Sequence, residues 1–85
     1  MAKVEVYTTD YCPYCTKAKT LLQMKGVEFE EIDVTGDDNA RDALVKKSDG
    51  RKTVPQIFIN DKPVGGFDDL NALKESGELD TLLAG

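Results

Sequence analysis

The sequence has no histidine, and its only cysteines are Cys12 and Cys15. A structural zinc site takes four ligands. Zinc here would therefore need carboxylates, a second chain or an outside thiol, and no metal is expected. Basic charge is also short: eleven lysines and arginines against sixteen acidic residues leave a net charge of −5. That is the wrong sign for a protein that neutralises phosphates along a duplex, so nucleic acid is not expected as a partner. Small anionic ligands stay open, because the field at a site depends on the charges nearest to it. Lys17, Lys19, Arg51 and Lys52 are of interest for that reason. There is no apolar run near the roughly 18 residues of a membrane span, and no low-complexity tract, linker or repeat. The start, MAKVEVYTT, alternates apolar and polar residues and lacks the apolar core and cleavage site of a secretory signal. A single cytoplasmic domain over residues 1–85, without membrane association, is expected.

What is present is strong periodicity. Val4, Val6 and Thr8 alternate with Lys3, Glu5 and Tyr7, which predicts a strand over Lys3–Thr8. Tyr14, Ala18, Leu21 and Leu22 fall at helical spacing before Gly26, which predicts a helix over Pro13–Lys25. Val27–Val34 reads as a second strand, parallel to the first through a right-handed crossover. Asp37 or Asp38 is expected to cap a second helix carrying Ala40, Ala43 and Leu44 and ended by Gly50. Gln56–Asn60 and Lys62–Gly65 read as an antiparallel hairpin turning at Asn60-Asp61, with Pro63 marking an edge strand. Asp68 reads as the N-cap of a helix carrying Leu70 and Leu73, and Leu79, Leu82 and Leu83 as the stripe of a last short helix. The order β-α-β-α-β-β-α-α places the chain in the α/β class.

The stretch TTDYCPYCTKAKTLL sets the two cysteines three residues apart. As a staple the pair would close a loop too short to constrain much chain, and a reducing cytoplasm would keep it open. Two inert buried thiols and a working redox pair are the other readings. Position favours redox work. Cys12 falls at the cap of the first helix, and Pro13 occupies its first turn, where a missing amide hydrogen is not missed. Unpaired amides and the helix dipole then face Cys12, which favours its thiolate and lowers its pKa from the free value of about 8.5. Cys15 lies about one helical turn away, roughly 5.4 Å, inside the 4.4–6.8 Å range of bonded α-carbons. The spacing permits a reversible disulfide.

CPYC after the first strand, TVPQIFI in mid-chain and GGFDD before the last helices give the sequence a resemblance to the glutaredoxins that covers nearly its whole length. The resemblance implies a thioredoxin fold, a four-stranded mixed β-sheet with helices on both faces, and glutathione as co-substrate. By it, Cys12 is the nucleophile toward glutathione mixed disulfides, and Cys15 is the resolving thiol for protein disulfides. Thr53, Val54 and Pro55 match a T-V-P segment whose proline is cis and whose valine backbone pairs with the cysteinyl part of glutathione. Gly66, Phe67, Asp68 and Asp69 match the segment that holds the γ-glutamyl end, with Phe67 where many members have tyrosine. Tyr14 would pack beside the tripeptide, and Lys52 or Arg51 would meet its glycine carboxylate, whereas Lys17 and Lys19 read as a solvated helix face. Thr9 departs from the pattern, standing where the family usually carries lysine. Expected partners are glutathione, disulfide-containing or glutathionylated proteins and, indirectly, glutathione reductase, with the chain itself a monomer. The alternatives are a thioredoxin-like redoxin reduced by a flavoprotein reductase, or a glutathione-ligated iron–sulfur cluster carrier, against which Pro13 weighs.

Overall fold

The alternating residues at the start of the chain form β1 (Val4–Thr8), an inner strand of a four-stranded mixed sheet. The computed structural model describes residues 3–10, 12–48, 50 and 53–84. β2 (Glu30–Asp33) runs parallel to β1, β3 (Gln56–Ile59) antiparallel to it, and β4 (Lys62–Gly65) antiparallel to β3, giving the order β2-β1-β3-β4. The helices are α1 (Pro13–Met24), α2 (Asp38–Lys47), α3 (Phe67–Ser76) and α4 (Glu78–Ala84). This is the element order that the periodicity predicts.

The two faces of the sheet are filled by different chemistry. Val4 and Val6 of β1 and Ile57 and Ile59 of β3 pack with Ala18, Leu21 and Leu22 of α1, Leu70 of α3 and Leu79 of α4. Each fully buried aliphatic side chain there contributes about 1.5–3 kcal/mol. On the opposite face Glu5, Tyr7 and Phe58 meet α2. Lys47 donates to Glu5 Oε1 at 2.8 Å, and its ammonium lies 4.6 Å from the ring centre of Phe58. A long cationic side chain covers the rings with its stem while its head stays paired.

Several boundaries differ from the sequence reading, each for a local reason. β2 begins at Glu30, not Val27, because the Val27 amide donates to Leu22 O at 3.1 Å and so completes the end of α1. Gly26 makes that turn at φ +70°. Of the two expected caps of α2, Asp37 is the one used, its carboxylate accepting from the Ala40 amide at 3.0 Å. Ala43 of the expected stripe is exposed, and Leu44 is the buried residue of α2. The N-cap of α3 is Gly66, two residues before the expected Asp68, and the Asp69 carboxylate reaches back to accept from the Gly66 amide at 3.1 Å. Leu82 of the last stripe faces outward. The hairpin turn is as expected: Asn60 and Asp61 both take positive φ, 53° and 67°, the geometry that matches the twist of a two-residue hairpin.

Candidate active site

α1 is built so that its first turn presents one sulfur and hides the other. Cys12 is the N-cap, in extended backbone, and Pro13 occupies the first helical turn. Cys12 Sγ accepts from the Cys15 amide at 3.0 Å, so a sulfur stands where a cap oxygen usually does. The two cysteines are joined in a disulfide with α-carbons 5.0 Å apart. Cys15 is 1% exposed, whereas Cys12 is half-buried and accessible. In the reduced protein, the amides at the helix start therefore face the more accessible of the two sulfurs.

A cleft of about 310 Å³ is lined by Tyr14, Thr53, Val54, Pro55 and the Gly66–Asp69 segment. These are the non-cysteine residues singled out from the sequence, apart from Lys52, which lies with Arg51 outside the described residues. The Val54–Pro55 peptide is cis. The rings of Tyr14 and Phe67 face each other across the cleft with centres 6.2 Å apart, and Tyr14 is 55% exposed. A side chain missed by the sequence reading holds the cleft's other wall: buried Gln56 donates through Nε2 to Thr53 O at 2.9 Å and to Thr53 Oγ1 at 3.1 Å. It lies inside the TVPQIFI segment, but its type gave no sign that it turns back onto the loop. Its Oε1 is buried without a partner among the described residues.

The cysteines line a second groove, of about 560 Å³, on the other flank of the same helical turn, with Thr9, Asp10, Lys19, Glu31 and Asp33 among its walls. Tyr14 sits between the cysteines in the chain, so cleft and groove meet at the motif. Lys19 is not the solvated residue that its spacing suggests. It donates to Glu31 Oε2 at 2.9 Å, and Thr8 Oγ1 donates to the same oxygen at 2.9 Å. The Lys19 ammonium, and after it the Thr8 hydroxyl, hold the Glu31 carboxyl below its ordinary range. Hydrogen bonds from the side chain and amide of Thr35 do the same for Asp33. Lys19 is the one cation among the described residues of this groove, and Thr9 is half-buried and neutral. No group of three or more His, Cys, Asp or Glu among the described residues is placed to hold a metal ion. Nor is any described helix long and apolar enough to cross a membrane.

A family model described as glutaredoxin matches residues 4–64. The chain is 54% identical over 83 residues to a probable glutaredoxin of Synechocystis, covering 98% of this chain and 76% of that one. It is 53% identical over 83 residues to glutaredoxin 3 of Escherichia coli, covering 98% and 99%. Among solved structures, a buckwheat glutaredoxin–glutathione complex superposes with a TM-score of 0.89 at 29% identity, covering 98% of this chain and 77% of that one. A glutaredoxin from Brucella melitensis gives 0.85 at 49% identity, covering 98% and 89%.

Proposed function

Since this chain belongs to the glutaredoxin family, with its thioredoxin fold, and is a glutathione-dependent dithiol oxidoreductase, we propose that Cys12 is its nucleophile, Cys15 its resolving thiol, and the Tyr14–Phe67 cleft its glutathione seat. With a glutathionylated protein, the Cys12 thiolate attacks the glutathione sulfur. A Cys12–glutathione bond forms, the bond to the protein sulfur breaks, and the protein leaves as a thiolate that takes a proton from solvent. A second glutathione thiolate then attacks the sulfur of the first, forming glutathione disulfide and restoring the Cys12 thiolate. With a protein disulfide, Cys12 becomes bonded to one protein sulfur. The Cys15 thiolate attacks Cys12 Sγ, closing the Cys12–Cys15 disulfide and releasing the reduced protein. Two glutathiones then reopen that disulfide.

The observation that carries this assignment is the difference between the two sulfurs: Cys12 is accessible at the helix start and Cys15 is 1% exposed. An attacking thiol needs access and a stabilised thiolate, and the cap position offers both. A resolving thiol needs only to reach Cys12, which α-carbons 5.0 Å apart allow. For the tripeptide, the first-turn amides of α3 suit the γ-glutamyl carboxylate, and Asp68 and Asp69 suit its amino group. The backbone of Val54 offers strand-like pairing to the cysteinyl residue, and Lys52 is assigned to the glycine carboxylate. The test is turnover of a small glutathione mixed disulfide, coupled to glutathione reductase, by wild type, Cys12→Ser and Cys15→Ser. Activity in Cys15→Ser and none in Cys12→Ser is expected; an active Cys12→Ser protein would reverse the roles.

The substrates proposed with it are glutathionylated proteins and protein disulfides, with glutathione reductase acting only on the glutathione disulfide released. The chemistry consumes reduced glutathione, which fits a protein working in a reducing cytoplasm.

A further inference from the structure

We propose that the groove between α1 and α3 docks the polypeptide of the protein substrate, and that it favours a segment combining acidic and aliphatic side chains within about six residues of the reacting cysteine. This rests on the reading of Cys12 as the attacking thiol, and adds to it a surface that glutathione does not need.

Residues 14, 17, 21 and 24 lie on one face of α1. That face begins at the active-site motif and carries two of the exposed large apolar side chains, Tyr14 at 55% and Met24 at 83%. Beside it, a groove of about 480 Å³ is lined by Lys17, Leu21, Met24, Lys25, Phe67 and Lys74, among others. Phe67 also walls the cleft assigned to glutathione, so the two hollows adjoin at that ring. A tripeptide occupies the cleft; the groove beyond Phe67 is left for a longer substrate.

The charge of the groove says which segment fits. Three lysines and no carboxylate line it among the described residues, in a chain whose net charge is −5. The flank of α1 that faces β2 is the reverse, with Asp10, Glu31 and Asp33 around Lys19. Helix α1 thus separates a cationic, apolar surface from an acidic one, with the disulfide at the junction. Lys25 is paired with Asp80 at 2.9 Å and Lys74 with Glu75 at 3.5 Å, but these acids are exposed, and such pairs exchange partners at little cost. Lys17 makes no ion pair among the described residues and rests 4.9 Å from the centre of the Tyr14 ring. From Cys12 to Met24 the helix rises about 18 Å, the length of about five to six residues of extended chain, which sets the reach of the preference.

The test uses synthetic peptides with one glutathionylated cysteine, flanked within six residues, on the amino or the carboxyl side, by Glu-Leu pairs or by Lys-Leu pairs. Wild type should turn over an acidic peptide with kcat/KM about three- to ten-fold above its basic counterpart at low salt, and added salt should shrink the difference. Met24→Asp with Lys74→Glu should abolish the preference while leaving the small mixed disulfide of glutathione and cysteine unaffected. Equal kcat/KM for both peptide types in wild type, or a preference that survives in the double variant, would overturn the proposal. Binding is read separately by amide chemical shifts with serine in place of the peptide cysteine. Acidic peptides should move Leu21, Met24 and Asn71, and their failure to do so would count against docking. Failure on the small mixed disulfide alone would instead indict the Cys12 assignment.

Discussion

Thr9→Lys probes the field around the reactive sulfur. Thr9 is half-buried in the groove that both cysteines line, at the position where the family pattern carries lysine. The carboxylates around it are already engaged. Glu31 is held by Lys19 at 2.9 Å, Asp33 accepts from the Thr35 amide at 2.8 Å, and Asp10 from the Thr35 hydroxyl at 3.3 Å. Among the described residues the one cation of this groove, Lys19, is already paired with Glu31, so a cation introduced at residue 9 adds directly to the field at the Cys12 thiolate. Held about 7 Å away in a water-like dielectric, it contributes about 0.6 kcal/mol, or roughly 0.4 of a pKa unit downward for Cys12. Below that pKa the thiolate fraction, and with it kcat/KM for a glutathione mixed disulfide, rises about 2.5-fold. In 1 M salt, where the Debye length is about 3 Å, about a tenth of the effect survives. Thiolate ultraviolet absorbance titrated in the Cys15→Ser background, with and without Thr9→Lys, isolates the one thiol. Identical titration curves, or a difference that persists undiminished in high salt, would refute the electrostatic account.

Three further outcomes are expected. Gly66→Ala should fold with little change in Tm, since the backbone there (φ −88°) suits any residue and the new methyl meets Pro55 O at an ordinary 3.5 Å; it should raise KM for a mixed disulfide about two- to ten-fold by filling the cleft, and an unchanged KM would move the tripeptide elsewhere. Lys47→Met leaves the Glu5 carboxylate, in a residue only 8% exposed, without the cation 2.8 Å away; the loss is about 2 kcal/mol, or roughly 8–16 °C in a thermal melt, and a Tm within about 2 °C of wild type would show that the pair contributes nothing. The Glu31 carboxyl is held below its ordinary 4.5 by Lys19 and Thr8, so its ionised form is favoured by folding. That stabilisation is present above pH 4.5 and lost as pH falls through the lower folded value. Denaturant melts of wild type and Glu31→Gln should therefore converge on acidification, and a gap that stays constant would remove Glu31 from the acid limb.

Much of this was legible because local chemistry and tertiary structure agree. The alternation of β1, the glycine stop after α1 and the Asn60-Asp61 turn are each enforced by backbone preferences that packing then uses. The boundaries that slipped are those where a neighbouring element claims a backbone group: the Val27 amide serves α1 before β2 can begin, and Asp69 reaching back to Gly66 starts α3 ahead of the residue that looked like its cap. At the site, the cysteines and three motif segments stood out by residue type. Gln56 and Lys19 did not, because their roles depend on partners distant in sequence or on a turn of the chain. Gln56 folds back on Thr53, and Lys19 spans twelve residues to Glu31. Composition carries no sign of either. The contrast between the two flanks of α1 was equally hidden, since its acidic side is assembled from the loop after β1 and from β2, which are distant in sequence.

The assignment of Cys12 as the sulfur that receives glutathione is tested most directly by mass spectrometry of the mixed disulfide itself. Reduced Cys15→Ser protein mixed with one equivalent of glutathione disulfide, quenched with acid and digested, should carry one glutathione on Cys12 and regain its free thiol when reduced glutathione is added. In Cys12→Ser protein the shielded Cys15 should stay unmodified on the same timescale. Prompt glutathione addition to Cys15, with turnover retained in Cys12→Ser, would contradict the account.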